Sequence, residues 1–451
     1  MGKYFGTDDF RGLAGVGVTS AQAFKTGRFL GWYFGSAKGK KCRAVIGKDT
    51  RISSYTLEYA LAAGITASGG DAYIMHVTTT PSVSFVTRCE GFDCGIMISA
   101  SHNPFYDNGI KLMNCRGEKM EDGVLNLIED YIDDRLFIGG AAYKIPFVSG
   151  EKMGKTVDYI AGRNRYIGHL IALSTVSYKG VKVGLDCANG ASYKIAQSVF
   201  EALGATVYLI GAEPNGLNVN DGVGATHPEA LQNLVRENRL DIAFAFDGDA
   251  DRCICCDERG NIIDGDGIMY VFARWLKERG ELIGDRIVAT VMSNSGLAAS
   301  LENCGVKCER CAVGDRFVYE KMCESGAVLG GEQSGHIILG KYETTGDGLV
   351  TAIMLMEALI EGKGTASSLM RGLTLFPQRS VSVKVKDKFS AMRNPLFVKL
   401  TEELRADAAG RGRIIVRPSG TEEVIRIMAE FATEEECENC CSRLERALIG
   451  A

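Results

Sequence analysis

The stretch Cys94-Gly95-Ile96-Met97-Ile98-Ser99-Ala100-Ser101-His102-Asn103-Pro104, continuing through Asp107-Asn108-Gly109-Ile110-Lys111, decides how this chain is read. A short apolar run ends in two serines, a histidine, an Asn-Pro turn and an Asn-Gly turn. That is the pattern of a buried strand delivering a hydroxyl into the loop at its C-terminal end. Ligands of open α/β sheets sit at that edge. Ser101 is therefore the first candidate functional side chain.

Outward from this stretch the same theme occurs three times. Strand-like runs led by basic residues at 43–47, 181–186 and 286–291 each precede a polar turn and a helical stretch, at 55–68, 192–203 and 297–304. A glycine and a second strand follow, at 71–77, 206–210 and 306–313. After a further helical stretch comes a third strand, and the three third strands end in polar loops at 99–103, 247–252 and 330–336. Strands and helices alternating at this spacing imply βαβ crossovers and mostly parallel sheets. Tandem copies imply similar domains. From residue 380 the pattern changes to strand, a helix over 389–409, a hairpin (414–416 and 424–428) and an acidic helix over 433–448 with Thr433 as N-cap. The expected fold is α/β, with three tandem, similar mixed or parallel-sheet domains over 1–152, 153–255 and 256–370. A smaller C-terminal α+β domain over 371–451 completes it, around a central cleft where the loops converge.

Composition sets the bounds. With 451 residues, 46% of them hydrophobic, the chain can fill several cores. A net charge of -5 argues against a nucleic-acid or anionic-membrane surface, so a phosphorylated substrate must be met by local positive charge. No apolar run reaches the ~18 residues of a membrane span, and no signal-peptide core opens the chain. The expectation is a cytoplasmic protein whose 15 cysteines are free thiols. Cys304, Cys308 and Cys311 carry a C-x-x-x-C-x-x-C spacing used for iron–sulfur clusters. Arg310 stands where an aromatic residue usually precedes the last cysteine, and the surrounding residues read as a strand, which weighs against a cluster.

Asp247-Gly248-Asp249-Ala250-Asp251-Arg252 follows an apolar run. Carboxylates two residues apart in an extended loop point to one side, and three of them together call for a cation. Hard oxygen ligands suit Mg2+. An EF-hand reading, with Asp247, Asp249, Asp251 and Glu258 at its liganding positions, meets Arg252 where that loop requires glycine. Gly330-Gly331-Glu332-Gln333-Ser334-Gly335-His336 mixes donors and acceptors that could bind sugar hydroxyls or an amine. Arg417-Pro418-Ser419-Gly420-Thr421-Glu422, with Arg426 beyond it, offers guanidinium, hydroxyls and open backbone N–H groups to a phosphate. No G-x-S-x-G elbow surrounds Ser101, so a hydrolase triad has no support; a serine with a cation site and a phosphate cradle suggests phosphoryl transfer.

These four motifs, in this order and across essentially the whole chain, resemble the α-D-phosphohexomutase family. The glutamine-containing sugar loop, Asp-Cys-Ala-Asn-Gly-Ala at 186–191 and Thr-Thr-Gly-Asp-Gly at 344–348 resemble its glucosamine branch. The resemblance implies that Ser101 carries a phosphoryl group and that Asp247, Asp249, Asp251 and the Ser101 phosphate bind one Mg2+. It implies a bisphosphosugar as intermediate and activator, and a small sugar phosphate as partner. Glu332 and Ser334 would hold the sugar; Arg417, Ser419, Gly420, Thr421 and Arg426 would grip the non-reacting phosphate. Arg11, Lys111 and Arg252 would steady the transferring group, with Lys111 or His102 in proton transfer. A homodimer is left open. Two departures stand out: Asp9 replaces a glycine of the family's first loop, and Glu423 replaces a proline of the phosphate loop.

Overall fold

A computed structural model describes residues 3–5, 9–419 and 424–449. Its first three sheets share one topology. In the first domain, Arg43–Lys48 lies between the parallel strands Asp71–Val77 and Cys94–Ile98, and Cys94–Ile98 pairs antiparallel with Asp107–Met113. The second domain repeats this with Lys182–Asp186 between Thr206–Ile210 and Ile242–Phe246, and Cys253–Asp257 as the antiparallel return. The third does so with Arg286–Thr290, Lys307–Cys311, Leu329–Gly331 and Ile337–Leu339. Each distinctive polar loop is thus the turn between a third strand and its antiparallel partner. Phe10–Leu13 and Thr156–Asp158 extend the first sheet and Ile262–Ile263 the second, so these sheets take in residues beyond 152 and 255.

The third strands of the first two domains, Cys94–Ile98 and Ile242–Phe246, are buried at every position, as continuous apolar runs in sheets covered on both faces must be. Helix Gly348–Glu361 is largely apolar, and every residue from Gly348 to Leu359 is buried, Thr351 and Glu357 included. It packs on helices Gly265–Glu278 and Ile160–Leu173 and on strand Cys253–Asp257, which makes one continuous core of the second and third domains.

The fourth domain has its own core and a three-stranded antiparallel sheet, ordered Gln378–Lys384, Val424–Glu430, Arg413–Pro418. The single helix expected over 389–409 is two helices, Lys388–Met392 and Pro395–Ala408. Asn394 caps the second, and Pro395 takes its first position, where a missing N–H leaves no bond unmade. Helix Glu434–Ile449 follows Thr433, whose hydroxyl accepts from the Glu436 N–H at 3.3 Å.

Candidate active site

The turns of the first two domains meet at one bond: the Ser101 hydroxyl donates to Oδ2 of Asp247 at 2.5 Å. Ser101 is 2% exposed, and its φ of 51° places it in the left-handed region. A residue other than glycine keeps that conformation only where its surroundings demand it. The aspartates do not lie along an extended loop as expected. They sit on a tight turn with Ala250 at φ 57°, and the turn still brings one oxygen from each within 4.8 Å of the others. Gly248 makes this approach possible, because a Cβ there would lie 2.5 Å from the Ser101 carbonyl oxygen.

Basic groups from both domains offset the three carboxylates. Lys111 enters from strand Asp107–Met113, and its Nζ lies 2.9 Å from Asp249 and 3.0 Å from Asp251. The Arg252 guanidinium lies 3.9 Å from Asp251, and the backbone N–H of Arg252 donates to Asp247 at 3.3 Å. Thr80, at the start of helix Thr80–Cys89, donates its hydroxyl to Asp249 and its N–H to the Asp249 carbonyl at 3.0 Å. Burial, then Asp251 and Asp249, push the Asp247 carboxyl well above its ordinary range. Burial also opposes ionisation of Asp251, but Lys111, His336 and Arg252 hold that carboxyl below the usual range. Oδ1 of Asp249 and Oδ1 of Asp251 are buried without a hydrogen-bond partner among the described residues. Hard oxygens, orphaned and within reach of one point, fit Mg2+ or a similar cation.

A cavity of about 490 Å³ runs from this turn across the molecule, and His102, Arg252, Glu332, Ser334, Arg417 and Arg426 all line it. Burial, then Arg252 and Arg11, push the His102 imidazole down to about 3, so it is neutral at neutral pH. Its Nδ1 lies 3.4 Å from the Ser101 oxygen. Glu332 accepts from the Gly314 N–H at 3.1 Å. Gly335, at φ 93°, returns the sugar loop against the Cys253 carbonyl, where a Cβ would approach to 2.4 Å. Arg417 and Arg426 face each other across adjacent antiparallel strands. Burial and then Arg426 lower the Arg417 guanidinium, and Glu332 opposes them. Ser419 is buried, and its N–H donates to the Val424 carbonyl at 2.9 Å. Gly420, Thr421 and Glu423 lie outside the described residues. Arg11 bonds Asp9 (2.8 and 3.0 Å) and Oδ1 of Asn103 (3.2 Å), beside the Ser101 loop. The substituted Asp9 is therefore its ion-pair partner.

The two accessory motifs lie behind the site. The Ala191 N–H donates to the Gly248 carbonyl at 2.8 Å, and the Gly348 N–H to the Ala250 carbonyl at 3.0 Å. The Gly346 N–H donates to His336 at 3.0 Å. Asp49, Arg51, Thr80 and Asn220 were not singled out from the sequence. Asp49 and Arg51 follow the end of the first strand, at the same sheet edge that pointed to Ser101, so that rule reaches them too. Asn220 sits in a loop with no such signal.

Models of the phosphoglucomutase/phosphomannomutase domains match the whole architecture in order: α/β/α domain I over residues 2–138, α/β/α domain II over 164–260, α/β/α domain III over 264–376 and the C-terminal domain over 381–447. The chain belongs to the phosphohexomutase family. As a family member it is an enzyme, a mutase of the isomerase class. A phosphoglucosamine mutase from Lachnospira eligens is 54% identical over 440 residues, covering 97% of this chain and 96% of that one. The phosphoglucosamine mutase of Bacillus subtilis is 45% identical over 444 residues, covering 98% of each. Among solved structures, a phosphoglucomutase/phosphomannomutase family protein from Burkholderia thailandensis superposes with a TM-score of 0.79 at 26% identity, covering 99% of this chain and 97% of that one. The Aspergillus fumigatus N-acetylphosphoglucosamine mutase, solved with GlcNAc-6P and magnesium, shares the fold at a TM-score of 0.65 and 16% identity, covering 95% of this phosphohexomutase and 96% of that chain.

Proposed function

We propose that the chain interconverts glucosamine 6-phosphate and glucosamine 1-phosphate, with Ser101 carrying a phosphoryl group between turnovers. The observation behind this is the Ser101 hydroxyl on the three-aspartate turn, beside a cavity whose far wall holds Arg417 and Arg426. The choice of glucosamine follows the relatives at 54% and 45% identity.

Arg417, Arg426, Ser419, Gly420 and Thr421 grip the non-reacting phosphate, and Glu332 and Ser334 hold the sugar. The opposite hydroxyl of the sugar then faces phosphorylated Ser101. The Oγ–P bond breaks as a bond forms from phosphorus to the hydroxyl oxygen, giving a bisphosphosugar. The hydroxyl proton passes to a ring nitrogen of neutral His102, with Lys111 as the alternative carrier, and on to the departing Ser101 oxygen, which leaves as a hydroxyl. The bisphosphosugar turns over in the cleft and returns its other phosphate to Ser101. Arg11, Lys111 and Arg252 offset the charge on the transferring group by fixed position rather than by covalent chemistry. Asp247, Asp249, Asp251 and Ser101 would hold one Mg2+, which when bound supplies Lewis-acid stabilisation to phosphoryl oxygens.

The test is turnover of glucosamine, glucose and mannose phosphates with Mg2+ and a trace of bisphosphosugar. The highest kcat/KM is expected for the glucosamine phosphates. Equal or better turnover of glucose or mannose phosphate removes that assignment. Mass spectrometry of the Ser101 peptide is expected to show phosphate on the active protein.

A further inference from the structure

Arg51 is wholly buried, and each of its five side-chain N–H groups is engaged. Nε donates to Oδ2 of Asp49 at 2.7 Å. Nη2 donates to the Ser101 carbonyl at 2.9 Å and the Asn103 carbonyl at 2.8 Å. Nη1 donates to the carbonyls of Pro104 and, at 3.0 Å, Asp107. An ordinary buried ion pair aims its guanidinium at a carboxylate. Here four of the five bonds go to the carbonyls of one loop, the loop that carries Ser101.

Two other groups hold the same loop. Asp49 accepts from the Ser99 hydroxyl at 2.8 Å, and the Ser99 oxygen accepts from the Ser101 N–H at 2.9 Å. From the second domain, Nδ2 of Asn220 donates to the Ser101 carbonyl at 2.9 Å and the Asn103 carbonyl at 3.1 Å. These are the two carbonyls that Nη2 of Arg51 also takes. Domains one and two therefore grip the same pair of oxygens.

We propose that Arg51 and Asn220 are positioning residues, a two-sided clamp that fixes left-handed Ser101 and aims the His102 N–H at the phosphoryl group Ser101 carries. The peptide bonds of the described residues are all trans, so the His102 N–H points opposite to the Ser101 carbonyl. That carbonyl is turned onto Arg51 and Asn220, and among the described residues no acceptor takes the His102 N–H. An open backbone N–H beside the serine is a ready donor to a phosphoryl oxygen. The clamp holds it in place before the reaction begins, in the manner of other fixed-dipole sites.

This inference rests on Ser101 being the phosphate carrier, and its test keeps the two apart. Asn220→Ala and Arg51→Lys are compared with wild type, each loaded with phosphate on Ser101 and supplied with Mg2+, well below its melting temperature. Asn220→Ala is expected to lower kcat by ~10-fold with KM within about twofold, and Arg51→Lys by ~100-fold, the scale of a 1 Å misplacement. Lysine retains at most three donors against arginine's five. The phosphoserine 31P resonance is expected to move in both variants as its amide donor shifts. Wild-type kcat and an unmoved resonance in folded, phosphorylated variants overturn the clamp, as does a loss confined to thermal stability. Wild-type protein with no phosphate on Ser101 and no turnover sinks the functional reading, and the clamp with it.

Discussion

The two ends of the cleft are built on opposite plans. At the Ser101 end, groups from two domains lock together: a five-donor arginine, a serine relay, Asp249 and Asp251 tied to Lys111, and Asp247 tied to Ser101. Nearly all of it is buried. At the Arg417 end, the cationic pair stands on a small sheet with a core of its own. Polar ties join that sheet to the third domain. Arg413 reaches the carbonyls of Val291 (2.7 Å) and Ser293, Glu430 accepts from the Ser295 N–H, and Gln378 accepts from Gln333 at 2.8 Å. One end is assembled before substrate arrives. The other stands on a separate sheet joined to the third domain by polar contacts. That difference suits an enzyme whose reacting group must be placed to a fraction of an ångström while its handle receives either phosphate of a turning sugar.

The sharpest break is Ser101→Ala, expected to reduce turnover by at least ~10³-fold because no other hydroxyl occupies that position. A steady-state assay with added bisphosphosugar reads it, and retained activity would place the carrier elsewhere. Next comes Asp249→Asn, which removes a candidate ligand and one partner of Lys111. Activity at fixed Mg2+ should fall on the order of 10²-fold and recover in part at higher metal, and chelation of the wild type should abolish turnover. Activity indifferent to both would show that the three carboxylates serve the fold alone.

At the gripping end the effect should be smaller and of another kind. Arg417→Lys exchanges a planar fork for a point charge, so KM for the sugar phosphate should rise ~10-fold with kcat within about twofold. If kcat falls instead, the two ends are coupled, and the contrast drawn between them is wrong.

Much of this contrast was readable from the chain. Three repeats of strand, helix and polar loop placed Ser101, Asp247–Asp251 and Glu332 each at the equivalent edge of its own sheet, because parallel crossovers leave that edge little freedom. What the sequence could not carry was local and long-range at once. The turn at Ala250 depends on a positive φ that an alanine does not advertise. Asn220 becomes meaningful only once the second domain docks on the first, 119 residues away in sequence from Ser101. The break at Asn394-Pro395 was legible in principle; reading through the proline gave one helix where capping produces two.

The smallest effect tests whether the buried end is held by charge as well as by hydrogen bonds. Asp186 ends the first strand of the second domain and is wholly buried. It accepts from the N–H groups of Ala188 at 2.9 Å and Gly224 at 2.7 Å. Burial outweighs those donors and pushes its carboxyl up to about 6. A folded-state value above the ordinary 3.8 means a stabilising contribution that is complete below that ordinary value and lost as pH rises through about 6. The gap of about two units corresponds to a change on the order of 3 kcal/mol. Asp186→Asn removes the titration while keeping one acceptor oxygen. The stability difference between wild type and variant, from denaturant unfolding at pH 4, 5, 6 and 7, should therefore shift against the wild type as pH rises and level off above about pH 7. A pH-independent difference would mean that the N–H donors cancel the effect of burial, so that Asp186 titrates as in the unfolded chain and is ionised at neutral pH. The backing of the aspartate turn would then be as strongly charged as the turn itself, and the chemical end would owe its rigidity to hydrogen bonds made by anions rather than to a neutral buried frame.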